Sequence, residues 1–283
     1  MRGNSKIRNK RDIQTTKKEL TIEKVLIYVI IMSVITLIFS LIFHKPTTKN
    51  DIPPMQENAI TEAEEDVPIE VILHKEFKNI DGQSTYIAFN KNAKDEEKFP
   101  MVIYSHGSTY TVSENKNNPL TKDLDYYADI FVKEGYIFAA SNQHGDNWGE
   151  NVAIEDTKKL VEVLKSHYQA SDEIYLLGFS MGGLVTMNYA EKYPENVKKI
   201  ALLAPTSYTK TWNSRRVERI REIPTRIWHG NKDVNVPYSM TTELIRKLGS
   251  LGKEIELITV EGAGHFDIDT EYTDAIVEFY KSH

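Results

Sequence analysis

Gly178-Phe179-Ser180-Met181-Gly182 reads G-x-S-x-G, and its flanks decide the fold. Before it runs Glu173-Ile174-Tyr175-Leu176-Leu177, apolar and about one strand long. After it, Gly183-Leu184-Val185-Thr186-Met187-Asn188-Tyr189-Ala190 reads as a helix. A serine on so sharp a strand-to-helix turn is pushed out of the sheet with its oxygen open for attack. The turn draws backbone segments too close for side chains, hence the glycines at 178 and 182. A Gly-rich turn with a helix-capping serine would give the same letters, so the motif needs partners.

Two downstream segments supply them. One is Trp228-His229-Gly230-Asn231-Lys232-Asp233, after the apolar Thr225-Arg226-Ile227-Trp228. The other is Glu261-Gly262-Ala263-Gly264-His265-Phe266, after Ile255-Glu256-Leu257-Ile258-Thr259-Val260. Serine, aspartate and histidine thus each follow the C-terminal end of a predicted strand, in the chain order Ser, Asp, His. This order and placement resemble the α/β-hydrolase superfamily over about residues 67–283. The likeness is to its lidless esterase- and lipase-like members, related to the prolyl-oligopeptidase-like branch. It implies Ser180 as nucleophile, His265 as base and then acid, and Asp233 as the group that orients the imidazole.

The chemistry supports those roles independently. A serine hydroxyl is a weak nucleophile near neutral pH and needs a base within hydrogen-bond reach. Histidine can take and return a proton in that range. An aspartate on its other nitrogen selects the tautomer and stabilises the imidazolium. Against this stand plainer readings: His265 as a surface residue on a Gly-rich turn, and Asp233 as a turn-forming residue. Asp267 and Asp269 lie too close to His265 in sequence for the usual arrangement and are expected to cap the last helix.

The strand-like Met101-Val102-Ile103-Tyr104-Ser105 ends in His106-Gly107. In the superfamily such a loop lends one backbone N–H to an oxyanion hole, and the residue after the nucleophile lends the other. Here those donors would be Ser108 (or Thr109) and Met181, with His106 pinning the loop. Residues 142–149 follow another predicted strand at the same sheet edge, where ligands bind in open α/β sheets. Thr109, His144, Asp146 and Trp148 are therefore pocket candidates; the plain reading of 142–149 is a solvated loop. His144 and Asp146 have no third ligand to complete a metal site, and no phosphate-binding loop is present. No cofactor is expected.

The 283 residues contain no cysteine, which excludes disulfides and thiolate chemistry. Residues 25–43 carry no charge, glycine or proline. As a helix they would span roughly 28 Å, close to a hydrocarbon core. The stretch is longer than a secretory h-region and ends without small residues, so an uncleaved signal anchor is expected. The tail 1–24 carries eight basic against three acidic residues, a net of +5, and residues 44–66 carry −4. The positive-inside rule then places the N-terminus in the cytoplasm and the rest outside a single-pass membrane span. The part beyond the span is strongly acidic, which argues against nucleic acid as a partner.

Residues 44–66, with three prolines and an acidic run, read as a linker. The domain 67–283 opens on strand-like residues 69–73, a turn at Asp81-Gly82 and a second strand at 85–89. From Met101 strands and helices alternate, with helices over 120–134, 152–167, 181–192, 238–248 and 270–281. That is an α/β pattern: a mostly parallel doubly wound sheet with helices on both faces, here preceded by one transmembrane helix. Residues 206–223 are too few for a large lid, so the site is expected to be open. Arg215, Arg216, Arg219 and Arg221 are expected to form the solvated face of a short helix. The expected activity is cleavage of a small acyl ester, lipid, thioester or amide through an acyl-enzyme. The alternatives are a prolyl-oligopeptidase-like peptidase and a non-catalytic surface protein on the same fold.

Overall fold

The computed structural model describes residues 70–282. The expected tail, membrane span and linker all lie outside these residues. Among the described residues no helix is long and apolar enough to cross a membrane.

Eight strands form one sheet in the order β1-β2-β4-β3-β5-β6-β7-β8. They are β1 Leu73–Ile80, β2 Gln83–Asn90, β3 Phe99–Ser105, β4 Ile137–Ser141, β5 Ala170–Phe179, β6 Val197–Leu203, β7 Thr225–Gly230 and β8 Glu256–Val260. β2 pairs antiparallel with both neighbours, and every pairing from β4 to β8 is parallel. The helices are α1 Pro119–Lys133, α2 Asn151–His167, α3 Gly182–Lys192, α4 Ser214–Ile220, α5 Tyr238–Gly249 and α6 Thr273–Lys281.

The central strands of the sheet are buried on both faces, and the period of two assigns neighbouring residues to opposite cores. Val102 and Tyr104 of β3 pack with Phe131 of α1 and Phe279 of α6. Met101 and Ile103 pack on the other face with Leu160 of α2, Met187 of α3 and Leu244 of α5. Local signals set the helix ends. Asn118 accepts the Leu120 N–H at 2.9 Å and Pro119 occupies the first turn of α1.

Two expectations are corrected. The first strand starts at Leu73, not at residue 69. Its register is set by the two-residue turn Asp81-Gly82, with φ of 50° and 85°, which pairs Ile80 with Gln83. β1 is an edge strand with one partner, so its composition is too polar to announce it. The last helix begins at Thr273, after a 3-10 turn over Thr270–Tyr272.

The topology places a crevice. β3 leads through α1 to β4 on one side, and β4 leads through α2 to β5 on the other side of β3. Where the strand order reverses, the connections leave in opposite directions and open a gap at the carboxyl ends of the strands. The gap is tight at one point: a Cβ on Gly182 would lie 2.0 Å from the Ser105 carbonyl oxygen. Gly182→Ala is therefore expected to destabilise the chain by about 3 kcal/mol, the upper end for overpacking. Urea unfolding checks this, and an unchanged midpoint would mean that the turn and β3 do not meet so closely.

Candidate active site

Ser180 sits between β5 and α3 with φ +53°, a left-handed conformation that costs a serine energy. Surrounding hydrogen bonds hold it there. Its N–H donates to the Leu203 carbonyl at 2.9 Å, and its carbonyl accepts from Thr206 at 2.8 Å and Gly183 at 3.0 Å. A Cβ on Gly178 would meet Thr186 Oγ1 at 2.4 Å. Both glycines of the motif thus answer to close contacts.

The structure brings Ser180, His265 and Asp233 together from three loops. Ser180 Oγ lies 2.9 Å from His265 Nε2, and His265 Nδ1 lies 2.6 Å from Asp233 Oδ2. All three residues are buried. Asp233 Oδ1 accepts the N–H groups of Asn235 and Val236, each at 2.8 Å, so its charge is met by fixed donors. The His265 ring packs against Phe179, with centroids 5.0 Å apart. A relay of this kind can take a proton from a hydroxyl and return it to a leaving group.

One member was missed in the sequence. His229, on β7, places Nε2 3.2 Å from Asp233 Oδ2 and 3.0 Å from the Val236 carbonyl, while Nδ1 meets Thr241 Oγ1 at 2.7 Å. Burial pushes its pKa down against the pull of the Val236 carbonyl and Asp233. A neutral ring donating from Nε2 and accepting at Nδ1 from Thr241 satisfies this pattern. The only sequence signal was a histidine ending an apolar strand four residues before Asp233.

The N–H groups of Ser108 and Met181 have no protein acceptor among the described residues. The Thr109 N–H is taken by Asp146 Oδ1 at 2.6 Å. Of the two residues considered on that loop, Ser108 is the one left with a donor to offer. His106 ties the loop down, with Nδ1 at 2.7 Å from the Gly107 carbonyl and Nε2 at 3.0 Å from the Asn142 carbonyl.

A cleft of about 350 Å³ opens over Ser180. Its walls include Thr109, Tyr110, Trp148, Val236, Met240 and Phe266, and among the described residues no Asp, Glu, Lys or Arg lines it. Of the residues singled out in the sequence, Thr109 and Trp148 line this cleft and His144 does not. Its Nδ1 is bound to Asp156 Oδ2 at 2.6 Å and its N–H to Gln83 Oε1 at 2.9 Å, away from the cleft. The loop turns through positive φ at Gln143, His144 and Gly145, which sends His144 and Asp146 to different partners. Among the basic run, Arg219 donates to the Glu191 and Lys192 carbonyls and Arg221 pairs with Glu218. Residues 206–223 form only a 3-10 turn and α4, so they make no large cover.

The two spare carboxylates do not cap the last helix. Asp267 accepts the Gly264 N–H at 2.8 Å, within the histidine loop. Asp269 accepts from the Tyr127 hydroxyl at 2.6 Å. Burial pushes its pKa up to about 7 from an ordinary 3.8, with Tyr127 opposing and Asp123 adding to the rise. Between these values the folded chain holds a proton that the unfolded chain has released. Stability should therefore fall as pH rises from about 4 to about 7 and level off above. Asp269→Asn is expected to raise the unfolding free energy by about 1 kcal/mol at pH 8 and by little near pH 4. Melting curves at the two pH values check this, and equal gains at both would refute it.

A family model described as phospholipase/carboxylesterase matches residues 137–283. A candidate esterase/lipase of Mycoplasma pneumoniae is 31% identical over 121 residues, 42% of this chain and 41% of that protein. The chain spans between 30% and 41% of the length of the curated relatives it matches first. Among solved structures, Est1E from Butyrivibrio proteoclasticus superposes with a TM-score of 0.53 at 17% identity, covering 73% of this chain and 96% of that one. An acylaminoacyl peptidase from Pyrococcus horikoshii does so with a TM-score of 0.55 at 16% identity, covering 75% and 41%. At these identities the two structures speak for the fold alone.

Proposed function

We propose that this chain, which belongs to the phospholipase/carboxylesterase family, is a serine hydrolase that cleaves uncharged carboxylic esters through an acyl-enzyme. The observation that carries the reading is the 2.9 Å contact between Ser180 Oγ and His265 Nε2, backed by Asp233 on the other ring nitrogen. His265 takes the hydroxyl proton as Ser180 Oγ attacks the carbonyl carbon. The oxyanion then forms beside the free N–H groups of Ser108 and Met181, each worth about 3 kcal/mol in such sites. Collapse expels the alcohol, which takes its proton from His265. Water activated by the same imidazole hydrolyses the acyl-enzyme.

The cleft walls favour an ester over a peptide with a free amino terminus. Tyr110, Trp148, Val236, Met240 and Phe266 offer apolar surface, and among the described residues no carboxylate lines the cleft to receive an ammonium group. Ser180→Ala is expected to abolish turnover of p-nitrophenyl esters and labelling by a fluorophosphonate probe. Asp233→Asn is expected to lower kcat by roughly a thousandfold or more through the wrong imidazole tautomer, and Asp267→Asn by less than about tenfold. A Ser180→Ala chain as active as the parent would end this reading. A dead Asp267→Asn beside an active Asp233→Asn would reassign the acid.

We also propose that residues 25–43 tether the enzyme to a membrane with the catalytic part outside. The support is an uncharged stretch of 19 residues, with a net of +5 before it and −4 after it up to residue 66. Protease added to intact cells stripped of their wall is then expected to digest or release the hydrolase while sparing the N-terminal tail. Protection of the hydrolase until lysis would reverse the orientation.

A further inference from the structure

A second cavity, about 300 Å³ in volume and partly open to solvent, lies against the side of α3 that carries Leu184, Met187 and Glu191. Its apolar lining comes from Ile154, Leu184, Met187, Leu202, Trp212 and Leu244. The charged groups at its edge are already matched within the protein. Arg216 meets Glu191 at 3.4 Å and Asn188 at 2.8 Å, and Lys192 meets Asn151 at 2.6 Å. A charged ligand would have to break these pairs, whereas an uncharged apolar one would not. Ser207, also in the lining, has a buried Oγ without a partner among the described residues.

The cavity adjoins the catalytic cleft. Both are lined by Thr206, whose N–H is bonded to the Ser180 carbonyl at 2.8 Å. Trp148 lines the cleft and the next residue, Gly149, lines the cavity. Trp148 is held at φ +47°, its N–H bonded to Met181 Sδ at 3.4 Å, and its residue is 46% exposed.

The chemistry of Ser180 determines which part of a substrate would go there. His265 must give its proton to the leaving oxygen, so the alcohol departs on the side of the His265 loop. Ala263 and Ile268 of that loop pack in the core shared with α1 and α6. Met187, Leu202, Trp212 and Leu244 belong to the core on the opposite face of the sheet. The cavity is thus lined from the face opposite the core that holds the His265 loop, which supports its assignment to the acyl side.

We propose that this cavity is the acyl pocket and takes the unbranched, uncharged chain of an ester whose carbonyl lies at Ser180, entering past Trp148 and Thr206. The proposal rests on the esterase reading. At about 30 Å³ per methylene-sized group the space holds on the order of ten heavy atoms, which fits acyl chains of about six to ten carbons.

Met187→Trp fills the pocket and Met187→Ala widens it. The full chain and both variants are assayed on p-nitrophenyl acetate, octanoate and dodecanoate, and the binding of octanoate itself is measured by calorimetry. In Met187→Trp the octanoate-to-acetate ratio of kcat/KM is expected to fall about tenfold or more, with octanoate binding lost. In Met187→Ala the preference is expected to shift toward dodecanoate. Parent-like ratios in Met187→Ala, or in a folded Met187→Trp that still binds octanoate, would overturn the pocket and leave the esterase reading standing. A parent that cleaves none of the esters, yet binds octanoate until Met187→Trp removes it, would support the pocket and end the esterase reading.

Discussion

The bare α-carbon of Gly182 rests against the carbonyl of Ser105, where a methyl group would come within 2.0 Å. This approach joins the start of α3 to the end of β3 across the switch point of the sheet. Ser108, on the loop after β3, and Ser180 line the same cleft. The approach also forces the chain through a left-handed residue at position 180, a strain that persists because Leu203, Thr206 and Gly183 fix the backbone around it. Ser180 is thus displayed by packing that its own conformational preference would resist.

A buried charge depends on that frame. Asp233 is withdrawn from water, and an unpaired carboxylate there would be costly. Two backbone N–H groups, His265 and His229 share its oxygens, so all its donors are fixed before any substrate arrives. Burial holds the pKa of His229 down, and the His265 imidazole is the one that faces Ser180. The polar pair Tyr127 and Asp269 packs at the far end of the His265 loop with the opposite economy. Its carboxyl gains little compensation and is held toward its protonated form.

The cleft over Ser180 is lined by no Asp, Glu, Lys or Arg among the described residues. The segment after β6 folds into a single turn and the short α4, so the cleft remains open. That same segment supplies Thr206, Ser207 and Trp212 to the cavity against α3, linking the shortness of the cover to the shape of the space behind it.

Much of the fold could be read from residue order, because β3 to β7 are buried on both faces and appear as apolar runs between turn signals. The G-x-S-x-G turn and the order of Ser180, Asp233 and His265 followed from the same local patterning. β1 was placed too early, since an edge strand with one partner needs few apolar residues and takes its register from a turn. His144 was assigned to the cleft because the loop after β4 is at the right sheet edge. Its direction depends on Gln83 and Asp156, which are remote from it or on another element. His229 was hidden because a strand residue's partner across a loop leaves no periodicity. The amino-acid order by itself determined which segments must be buried and where the chain must turn, since these are properties of neighbouring residues. Tertiary structure alone decided which polar groups meet and where empty space remains, since those depend on packing several elements that no local pattern relates.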